Sequence, residues 1–465
     1  MNIYAKCIQS GSCAGCQNTG TWYVSLPHKV AVSGRLDAFL PAGSPVTSFL
    51  LYCRGTYCSL CDMRTLLLTI TLFCAAALQA HSLTVLYMAQ AGYDPLDVER
   101  RGAEFTRETG IEVDFRFEEY DDMYGIVTGE EGEKGEFDVV LLDNIWTADF
   151  AAREILEPVP PDVQEYIRNG TISEIYSANV FDHTMWGVPF LANFQLLFTN
   201  MDILRSAGYS RPPDTLDQMR EMAMSAKALG LIEYPIFDSL RAEEILMCEL
   251  VWLSGAYGNE WDSSDELFPF DTVPNRKALS FLHGLLEEGL LNPYSLYSGE
   301  VFAAEVFEYG DALFTTNWTF LIGRLQNRGQ SKPFEFEVSV IPTEYEGQKS
   351  STVSGYQGLA VMKNSQHKED AWDFILYLSS PEFQRRYLDE FPVWKEIWSE
   401  PYLAQSDPFF ETKREQVSGA KVRYMHPQYQ QISESIVNAV HDSLSGRIPV
   451  DSAFKTIDET LKEIQ

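Results

Sequence analysis

The sequence predicts an α/β fold built on a mainly parallel sheet. From Leu83 onwards, short apolar segments typical of strands alternate with longer amphipathic segments typical of helices. The segment Phe137–Leu142 is almost continuously apolar, as expected for a strand that helices cover on both faces. Strands that alternate with helices are joined by right-handed crossovers, so they lie mainly parallel in one sheet.

The first part of this pattern has clear element boundaries. The first strand is predicted at Leu83–Met88. The helix that follows it is predicted to start at Asp94-Pro95, because Asp is a favourable N-cap and Pro a favourable first helical residue. Residues Ile111–Phe117 alternate between apolar and polar, as a half-buried strand does. Ligands of such sheets bind at the carboxyl ends of the strands. The first candidate ligand contacts are therefore the side chains that follow the first and third strands: Gln90, Asp143, Asn144 and Trp146.

The remaining chain continues the alternation without an internal repeat. Trp186–Phe190 leads into a strand-like segment that ends at Asn200. Thr215 and Gln218 have the spacing of a capping box, which predicts a helix running to about Gly230. Further helices are predicted over residues 242–256, 276–290, 369–378, 429–446 and 450–464, and strands over residues 337–342 and 358–362.

The charge of the chain limits its partners. The 465 residues suffice for two or three domains, and 45% of them are hydrophobic, which is typical of a globular protein. The formal net charge of −32 argues against binding to nucleic acid or an anionic membrane, because phosphate groups would repel the protein. Most of the acidic side chains are expected to lie on the solvated surface of the protein.

Residues 63–80 have the pattern of a signal peptide. A basic start at Met63-Arg64 is followed by the apolar segment Leu66–Leu78 and by the small residue Ala80, where cleavage is expected. The apolar segment is too short for a membrane-spanning helix, which needs about 20 residues. We therefore expect a periplasmic or other extracytoplasmic protein. Lipid anchoring at Cys74 is not expected, because a phenylalanine precedes that cysteine where bacterial lipoproteins have a small residue.

Residues 1–62 precede this signal-like segment, and we expect them to be upstream read-through that is not part of the mature protein. The translation start would then be Met63, and the mature chain would begin near His81, or after Ala77 if cleavage occurs there. A metal-binding domain is the alternative, because the segment contains two Cys-x-x-Cys pairs that formally resemble a zinc ribbon: Cys13/Cys16 and Cys58/Cys61.

The order of the segments after residue 82 resembles the family 1 extracellular solute-binding proteins, which include the maltose- and trehalose-binding proteins. The resemblance extends over residues 83–464. It is specific because the matching segments occur in the same order and at similar spacing as in that family. These pieces are Leu83–Gly110, Glu136–Asp143, Trp186–Phe190, Pro213–Asp217, Tyr309–Trp318, Gly355–Val361, Ala371–Ile375 and Ser380-Pro381-Glu382.

The resemblance implies a two-lobed periplasmic-binding-protein fold, type II-like, in which each lobe is a mainly parallel sheet flanked by helices. The hinge between the lobes would fall near residues 190–193, 342–347 and 388–392. The implied lobes are residues 81–191 plus 345–390 for the N-terminal lobe and residues 192–344 plus 391–465 for the C-terminal lobe. Closure of the hinge around a ligand shifts the population from open to closed forms.

The resemblance also implies a function. The chain would be a monomeric component of an ABC importer that captures a mono- or oligosaccharide in the cleft and delivers it to permease subunits. It would need no cofactor. Sugars stack their apolar C–H faces on aromatic rings, and their hydroxyls need hydrogen-bond donors and acceptors.

The candidate ligand contacts follow from these needs. The resemblance implies that Trp318 stacks on the sugar and that Asn193 lies in the cleft. It also implies that Asp143 and Trp146 lie in a loop that carries ligand contacts. Further candidates come from aromatic and polar side chains at predicted loop or cleft positions: Gln90, Asn144, Tyr356 and Trp394.

Two observations limit this assignment. Maltose-binding relatives carry an Asp-Lys pair where this chain has Gln90-Ala91, so the ligand need not resemble maltose. Each aromatic candidate also has a structural alternative, because most such side chains pack in protein cores. Trp186 is expected to pack in this way under the strand that follows it.

Other functions leave few signals in the sequence. Motifs of zinc proteases, serine hydrolases and phosphate-binding loops are absent, so no catalytic or metal-binding residues are assigned. Carboxylate pairs such as Asp121-Asp122 leave a glycoside-active enzyme as an alternative. The same fold could instead bind a polyamine or a metal ion, or present its ligand to a sensor.

Overall fold

The computed structural model describes residues 82–464, except residues 90–91, 262–268, 328–333 and 389, and except the side chains of Glu130, Glu131 and Ala404. Several sequence-based expectations therefore lie outside the described residues. They are the upstream read-through expected over residues 1–62, the signal peptide expected over residues 63–80, the expectation that Cys74 carries no lipid anchor, and the candidate ligand contact Gln90.

A mixed sheet forms the centre of the described chain. Its strand order is β2-β1-β3-β9-β6-β7, with β10 beside β9 and β8 beside β6, while β4 and β5 form a separate pair. The strands are β1 (Ser82–Met88), β2 (Glu112–Glu118), β3 (Val139–Asp143), β4 (Val180–Phe181), β5 (Thr184–Met185), β6 (Val188–Asn200), β7 (Phe314–Trp318), β8 (Phe336–Ser339), β9 (Thr352–Val361) and β10 (Ala420–Lys421).

Helices flank this sheet. In the described residues, none of them is long and apolar enough to cross a membrane. They are α1 (Pro95–Thr109), α2 (Tyr120–Thr128), α3 (Glu130–Lys134), α4 (Asn144–Ala152), α5 (Pro161–Gly170), α6 (Ser173–Ser177), α7 (Met201–Ser206), α8 (Leu216–Ala228), α9 (Glu244–Ala256), α10 (Val273–Glu287), α11 (Glu300–Glu308), α12 (Phe320–Gln326), α13 (Lys368–Leu378), α14 (Pro381–Arg386), α15 (Leu403–Ser406), α16 (Phe410–Val417), α17 (Tyr429–Leu444) and α18 (Val450–Ile464).

The predicted α/β class is confirmed, and the parallel pairing holds where strands and helices alternate. Strand β1 lies parallel to both β2 and β3. The later strands β6 and β9 run antiparallel to each other, and β9 also runs antiparallel to β3. The parallel strands β1, β2 and β3 thus occupy one end of the sheet, β10 adds a short parallel pair with β9, and the two long strands β6 and β9 connect that end to the rest.

The predicted helix starts are confirmed by their caps. The Asp94 carboxylate accepts a hydrogen bond from the backbone N–H of Leu96 at 2.8 Å, and α1 ends at Gly110 with a left-handed φ of 83°. The Thr215 hydroxyl accepts from the backbone N–H of Gln218 at 3.2 Å, so the predicted capping residue does begin α8.

One local prediction is wrong. A loop is expected after β3, but Asn144–Ala152 form α4. The Asp143 carboxylate caps this helix by accepting from the backbone N–H of Ile145 at 3.2 Å. The segment contains neither glycine nor proline to prevent helix formation. Trp146 is therefore on the first turn of a helix rather than in a loop.

The core is formed around the long strands. Every residue of β3, β6 and β9 is buried. Tyr93 packs between Phe190 and Phe383, with ring centroids 5.1 and 4.9 Å from its own. Burial of each such aromatic side chain contributes about 1.5–3 kcal/mol, so this cluster fixes β6 against α14.

The register of the central strands decides which residues are neighbours. Because successive side chains point to opposite faces of a strand, only alternate residues face the same side. Near the crossing of β6 and β9 the register shifts between Pro189 and Leu191, and Ala192 bridges to Phe391. Directly opposite pairs in the regular parts are Asp143 and Gln357, Asn193 and Gly355, and Gln195 and Trp318.

Candidate ligand-binding site

A cleft of about 560 Å³, part of it open to solvent, lies where the carboxyl ends of the parallel strands meet α9 and the crossing of β6 and β9. This is the edge of the sheet at which the sequence predicted ligand contacts. The residues that line the cleft are Met88, Tyr120, Asp121, Asp143, Asn193, Glu243, Glu244, Ile245, Cys248, Glu300, Trp318, Gly355, Gln357 and Arg423.

Asp143 forms the floor of this cleft and is fully hydrogen-bonded. Its Oδ1 accepts from the backbone N–H of Ile145 at 3.2 Å and from Nη2 of Arg423 at 3.3 Å. Its Oδ2 accepts from the hydroxyl of Tyr120 at 2.8 Å and from Nε2 of Gln357 at 3.5 Å. A buried carboxylate needs such partners. In this conformation Asp143 therefore organises the surrounding side chains.

Arg423 is the central cation of the site, and only 2% of the residue is exposed. Its Nη1 donates to Oε1 of Glu244 at 2.7 Å. Its Nη2 lies 3.3 Å from Oδ1 of Asp143, Oδ1 of Asn144 and the backbone oxygen of Ser354. The guanidinium thus joins the end of β3 to the start of α9.

Glu244 completes this network on the other side of the cleft. Its Oε1 also accepts from the hydroxyl of Tyr429 at 2.6 Å, and its Oε2 accepts from the hydroxyl of Ser433 at 2.6 Å. Both donors belong to α17. Charge-assisted hydrogen bonds of this kind are stronger than neutral ones, so α9, α17 and β3 are held together through one buried ion-pair network.

Three other side chains in the cleft wall keep polar atoms that the described residues do not use. Asn193 accepts from the hydroxyl of Thr319 at 3.2 Å, but its amide nitrogen has no acceptor among the described residues. The Oε1 atom of Gln357 is buried and has no donor there. The indole N–H of Trp318 likewise has no acceptor within that part of the chain, although the residue is only 8% exposed.

Trp318 is held in place by a glycine. A Cβ atom added at Gly355 would lie 2.8 Å from Cζ3 of the Trp318 ring, which is closer than side chains tolerate. The ring therefore packs directly on the backbone of β9. The two residues lie on strands that flank β6, so the sheet itself sets the orientation of the indole.

The mouth of the cleft is acidic. Arg241 pairs with Glu243 and lies 3.4 Å from Oδ2 of Asp121. Burial raises the pKa of Glu243, and the neighbouring Asp121 raises it further. Burial is also the main cause of the raised pKa of the Glu300 carboxyl. Among the described residues at the mouth, the carboxyl groups of Asp121, Glu243 and Glu300 face one guanidinium group, that of Arg241.

The structure brings together three of the predicted ligand contacts and places two more beside them. Asp143, Asn193 and Trp318 line the cleft. Asn144 lies behind it and accepts from Arg423. Trp146 is buried and stacks on Tyr120, with ring centroids 5.2 Å apart.

The predicted ligand contacts Tyr356 and Trp394 are not among the residues that line this cleft. Tyr356 follows Gly355 on β9, so its side chain points to the opposite face. The indole of Trp394 donates to the backbone oxygen of Ser379 at 2.7 Å and packs on Tyr166 with centroids 5.1 Å apart. Both residues pack in the interior, as most aromatic side chains do.

Six cleft residues with an acidic, basic or hydroxyl side chain were not assigned as ligand contacts from the sequence: Tyr120, Asp121, Glu243, Glu244, Glu300 and Arg423. Tyr120 could have been found, because it follows β2 and so obeys the rule applied to the first and third strands. Arg423 had no local signal, since only the folded chain brings it to Asp143. Among the residues that the structure describes, no group of three or more histidine, cysteine or acidic side chains is arranged to hold a metal ion.

The family described as bacterial extracellular solute-binding protein matches residues 97–385, which is more than half of the chain. A probable ABC transporter-binding protein from Deinococcus radiodurans is 24% identical over 421 residues, covering 86% of this chain and 97% of the relative. A putative binding protein from Brucella abortus is 22% identical, covering 79% of this chain and 89% of its own length.

Solved structures of similar fold include proteins from two Thermotoga species. Maltose-bound MalE3 of T. maritima has a TM-score of 0.75 and 22% identity, covering 83% of this chain and all (100%) of its own. A solute-binding protein of an ABC transporter from Thermotoga lettingae, bound with α-D-tagatose, has a TM-score of 0.74 and 22% identity, covering 83% of this chain and 99% of its own. This likeness confirms the expected two-lobed fold.

Proposed function

Because the chain belongs to the bacterial extracellular solute-binding protein family, we propose that it is the solute-binding component of an ABC importer and captures a carbohydrate in the cleft. The observation that carries this proposal is the group formed by Trp318, Asn193 and Gln357. It combines an aromatic ring with one amide donor and one amide acceptor that have no partner within the described residues.

A sugar satisfies these groups at once. The apolar face of a pyranose or furanose ring packs on an indole, while its hydroxyls both donate and accept hydrogen bonds. A buried acceptor such as Oε1 of Gln357 costs free energy if it has no donor, and a sugar hydroxyl supplies one.

The relatives support the transport role. One is named as a probable ABC transporter-binding protein, and two solved structures of similar fold carry a sugar, maltose in one and α-D-tagatose in the other. None of these is named as an enzyme. We propose that closure of the two lobes on the sugar creates the surface that permease subunits recognise outside the cytoplasm, with the protein acting as a monomer.

A sensor would use the same closed form, so it remains the second candidate. A gene for importer permeases next to the gene for this protein would favour transport. A receptor gene in that position would favour sensing.

The carbohydrate proposal is tested by calorimetric titration of the purified protein with a panel of mono- and oligosaccharides, followed by the variant Trp318→Ala. Loss of the stacking surface should weaken binding by about tenfold to a hundredfold, because burial of an aromatic side chain contributes about 1.5–3 kcal/mol. Thermal unfolding with and without sugar gives an independent measure, since a ligand of the native state raises its stability.

Trp186→Ala is the matched control. Trp186 is partly buried, donates to the backbone oxygen of Phe181 at 3.2 Å and does not line the cleft. Its removal should leave sugar affinity unchanged. Equal affinities of the Trp318→Ala and wild-type proteins would refute the proposed site, and failure of every sugar to bind would refute the proposed ligand class.

A further inference from the structure

The charges that line the cleft do not balance. Five carboxylate residues line it, namely Asp121, Asp143, Glu243, Glu244 and Glu300, and Arg423 is the only basic residue among the lining residues in the described part of the chain. Arg241 at the mouth adds a second guanidinium, which pairs with Asp121 and Glu243. Counted as ionised groups, five carboxylates against two guanidinium groups give a formal excess of three negative charges.

In this conformation both terminal nitrogens of Arg423 have protein acceptors, and its Nε, which has no acceptor among the described residues, is buried. Its Nη1 is committed to Glu244, and its Nη2 to Asp143, Asn144 and the backbone of Ser354. The carboxylates that it contacts accept further hydrogen bonds from the hydroxyls of Tyr120, Tyr429 and Ser433. The excess negative charge therefore belongs to the other side of the cleft, around Glu300.

Glu300 is the least compensated of these carboxylates. Within the described residues no other side chain donates a hydrogen bond to it, and the contact that lowers its pKa most is with its own backbone N–H. It begins α11, and its backbone oxygen accepts from Nδ2 of Asn317 at 3.0 Å. Glu300 and the proposed stacking residue Trp318 line the same cleft.

A second observation points independently to a hydrogen-bond donor on the ligand. Gln357 is 5% exposed and lines the cleft, and its Oε1 has no donor in the described residues. The unused acceptors of the cleft thus include one amide oxygen and one carboxylate. A neutral sugar would satisfy the hydrogen bonds but would leave the excess charge uncompensated when the cleft closes and water is expelled.

We propose that the sugar captured by this protein is cationic, an amino sugar whose ammonium group pairs with Glu300 while its ring stacks on Trp318. This inference rests on the carbohydrate function proposed above and narrows its ligand class. The ammonium group supplies three donors and a positive charge, which are the two properties that the cleft lacks. Closure then neutralises part of the excess charge instead of burying it.

The test uses matched trios of ligands in calorimetric titrations of the full-length protein at pH 6. Each trio contains an amino sugar, its neutral parent and its N-acetylated form, for example D-glucosamine, D-glucose and N-acetyl-D-glucosamine, with the galactose and mannose trios alongside. At least one amino sugar should bind about tenfold or more tightly than its two neutral partners, as expected for a hydrogen bond between charged groups. The preference should decrease as sodium chloride is added.

The variant Glu300→Gln should abolish most of this preference while changing the affinity for the neutral sugars by less than about threefold, because it keeps the shape and an acceptor but removes the charge. Glu305→Gln is the matched control, since Glu305 is on the same helix, α11, but does not line the cleft. Thermal unfolding verifies the fold of each variant. Glu300→Asp, which keeps the charge, should retain a measurable preference if Glu300→Gln does not fold.

The outcomes separate this inference from the proposed function. If neutral sugars bind as tightly as the amino sugars, or if Glu300→Gln keeps the preference, the inference is wrong and the carbohydrate function stands. If spermidine or calcium chloride binds and no sugar does, both the inference and the carbohydrate function are wrong.

Discussion

The carboxyl group of Asp238 lies in an unusual environment. The residue is 5% exposed, and its Oδ1 accepts from the backbone N–H of Thr316 at 2.7 Å. Burial raises the pKa of Asp238 from 3.8 to about 7. The pKa of the nearby Glu249 is also raised, first by burial and then by Asp238. The folded protein therefore holds protons here that the unfolded chain releases.

Replacing Asp238 with Asn should make the free energy of unfolding less dependent on pH between about 4 and 7. In this window the folded state keeps the proton of Asp238 and the unfolded state does not, so this group lowers stability as the pH rises from 3.8 towards about 7. Asparagine removes that contribution and can still accept from Thr316. Urea denaturation at several pH values measures the slope.

Asp311→Asn is the control for this prediction, because Asp311 is exposed in the same part of the molecule. In Asp311→Asn the free energy of unfolding should depend on pH as it does in the wild-type protein. If the free energy of unfolding of Asp238→Asn also shows the wild-type dependence on pH, the proton is not held by Asp238.

At the scale of single residues, the sequence located the cleft only where a local rule applied. Asp143 follows a buried strand, and the rule for strand ends placed it correctly. Tyr356 does not line the cleft, because a residue on a strand faces one side or the other and only the register decides which. Arg423 depends on contacts between residues 280 positions apart, for which the sequence has no local signal.

Between elements, Gly355 sets the distance of the Trp318 ring from β9. Gly355→Ala should lower the free energy of unfolding by about 1–3 kcal/mol and weaken ligand binding, because the added Cβ forces the indole to move. Urea denaturation and calorimetric titration measure the two effects.

Gly284→Ala is the matched control, because a Cβ atom at Gly284 meets nothing within 4 Å. On helix α10 this change should be neutral or stabilise the protein by up to about 1 kcal/mol, without effect on binding. Unchanged stability and affinity in Gly355→Ala would show that Trp318 does not depend on this contact.

Helices with a clear amphipathic pattern were predicted well, whereas a helix without that pattern was missed. The helix Val450–Ile464 was predicted with its observed bounds because its apolar residues recur at helical spacing. Helix α4 was missed because seven of its nine residues are buried, which removes the amphipathic pattern on which the prediction relied.

At the scale of the whole molecule, the Arg423 network connects parts that are distant in sequence. Arg423→Met should lower the free energy of unfolding by about 3–5 kcal/mol, because Asp143 and Glu244 would be left buried without their cation. Adding Glu244→Gln should recover part of the lost stability, since it removes one of the two uncompensated charges. Chemical denaturation of the single and double variants measures both effects.

Arg447→Met is the control for that series. The Arg447 side chain is 58% exposed and pairs with Asp442, so its removal should cost less than about 1 kcal/mol. A double variant no more stable than Arg423→Met alone would show that the loss does not arise from uncompensated charge.

The fold class could be predicted from the sequence, but the order of the strands could not. Alternating elements indicated the parallel pairs of β1, β2 and β3. The position of β9 between β3 and β6 depends on pairing across a large part of the chain, which no local pattern records.

The central position of β9 also has a consequence during protein synthesis. Its neighbours β3 and β6 are made first, but β9 follows β3 by about two hundred residues, a delay of about 10–40 seconds at bacterial elongation rates. Until Val361 has been added, the sheet remains in two unjoined parts, and pairings between such distant segments form slowly. A chain that still lacks Val361 therefore cannot complete the pairing of β9 with β3 and β6 that joins the two parts of the sheet.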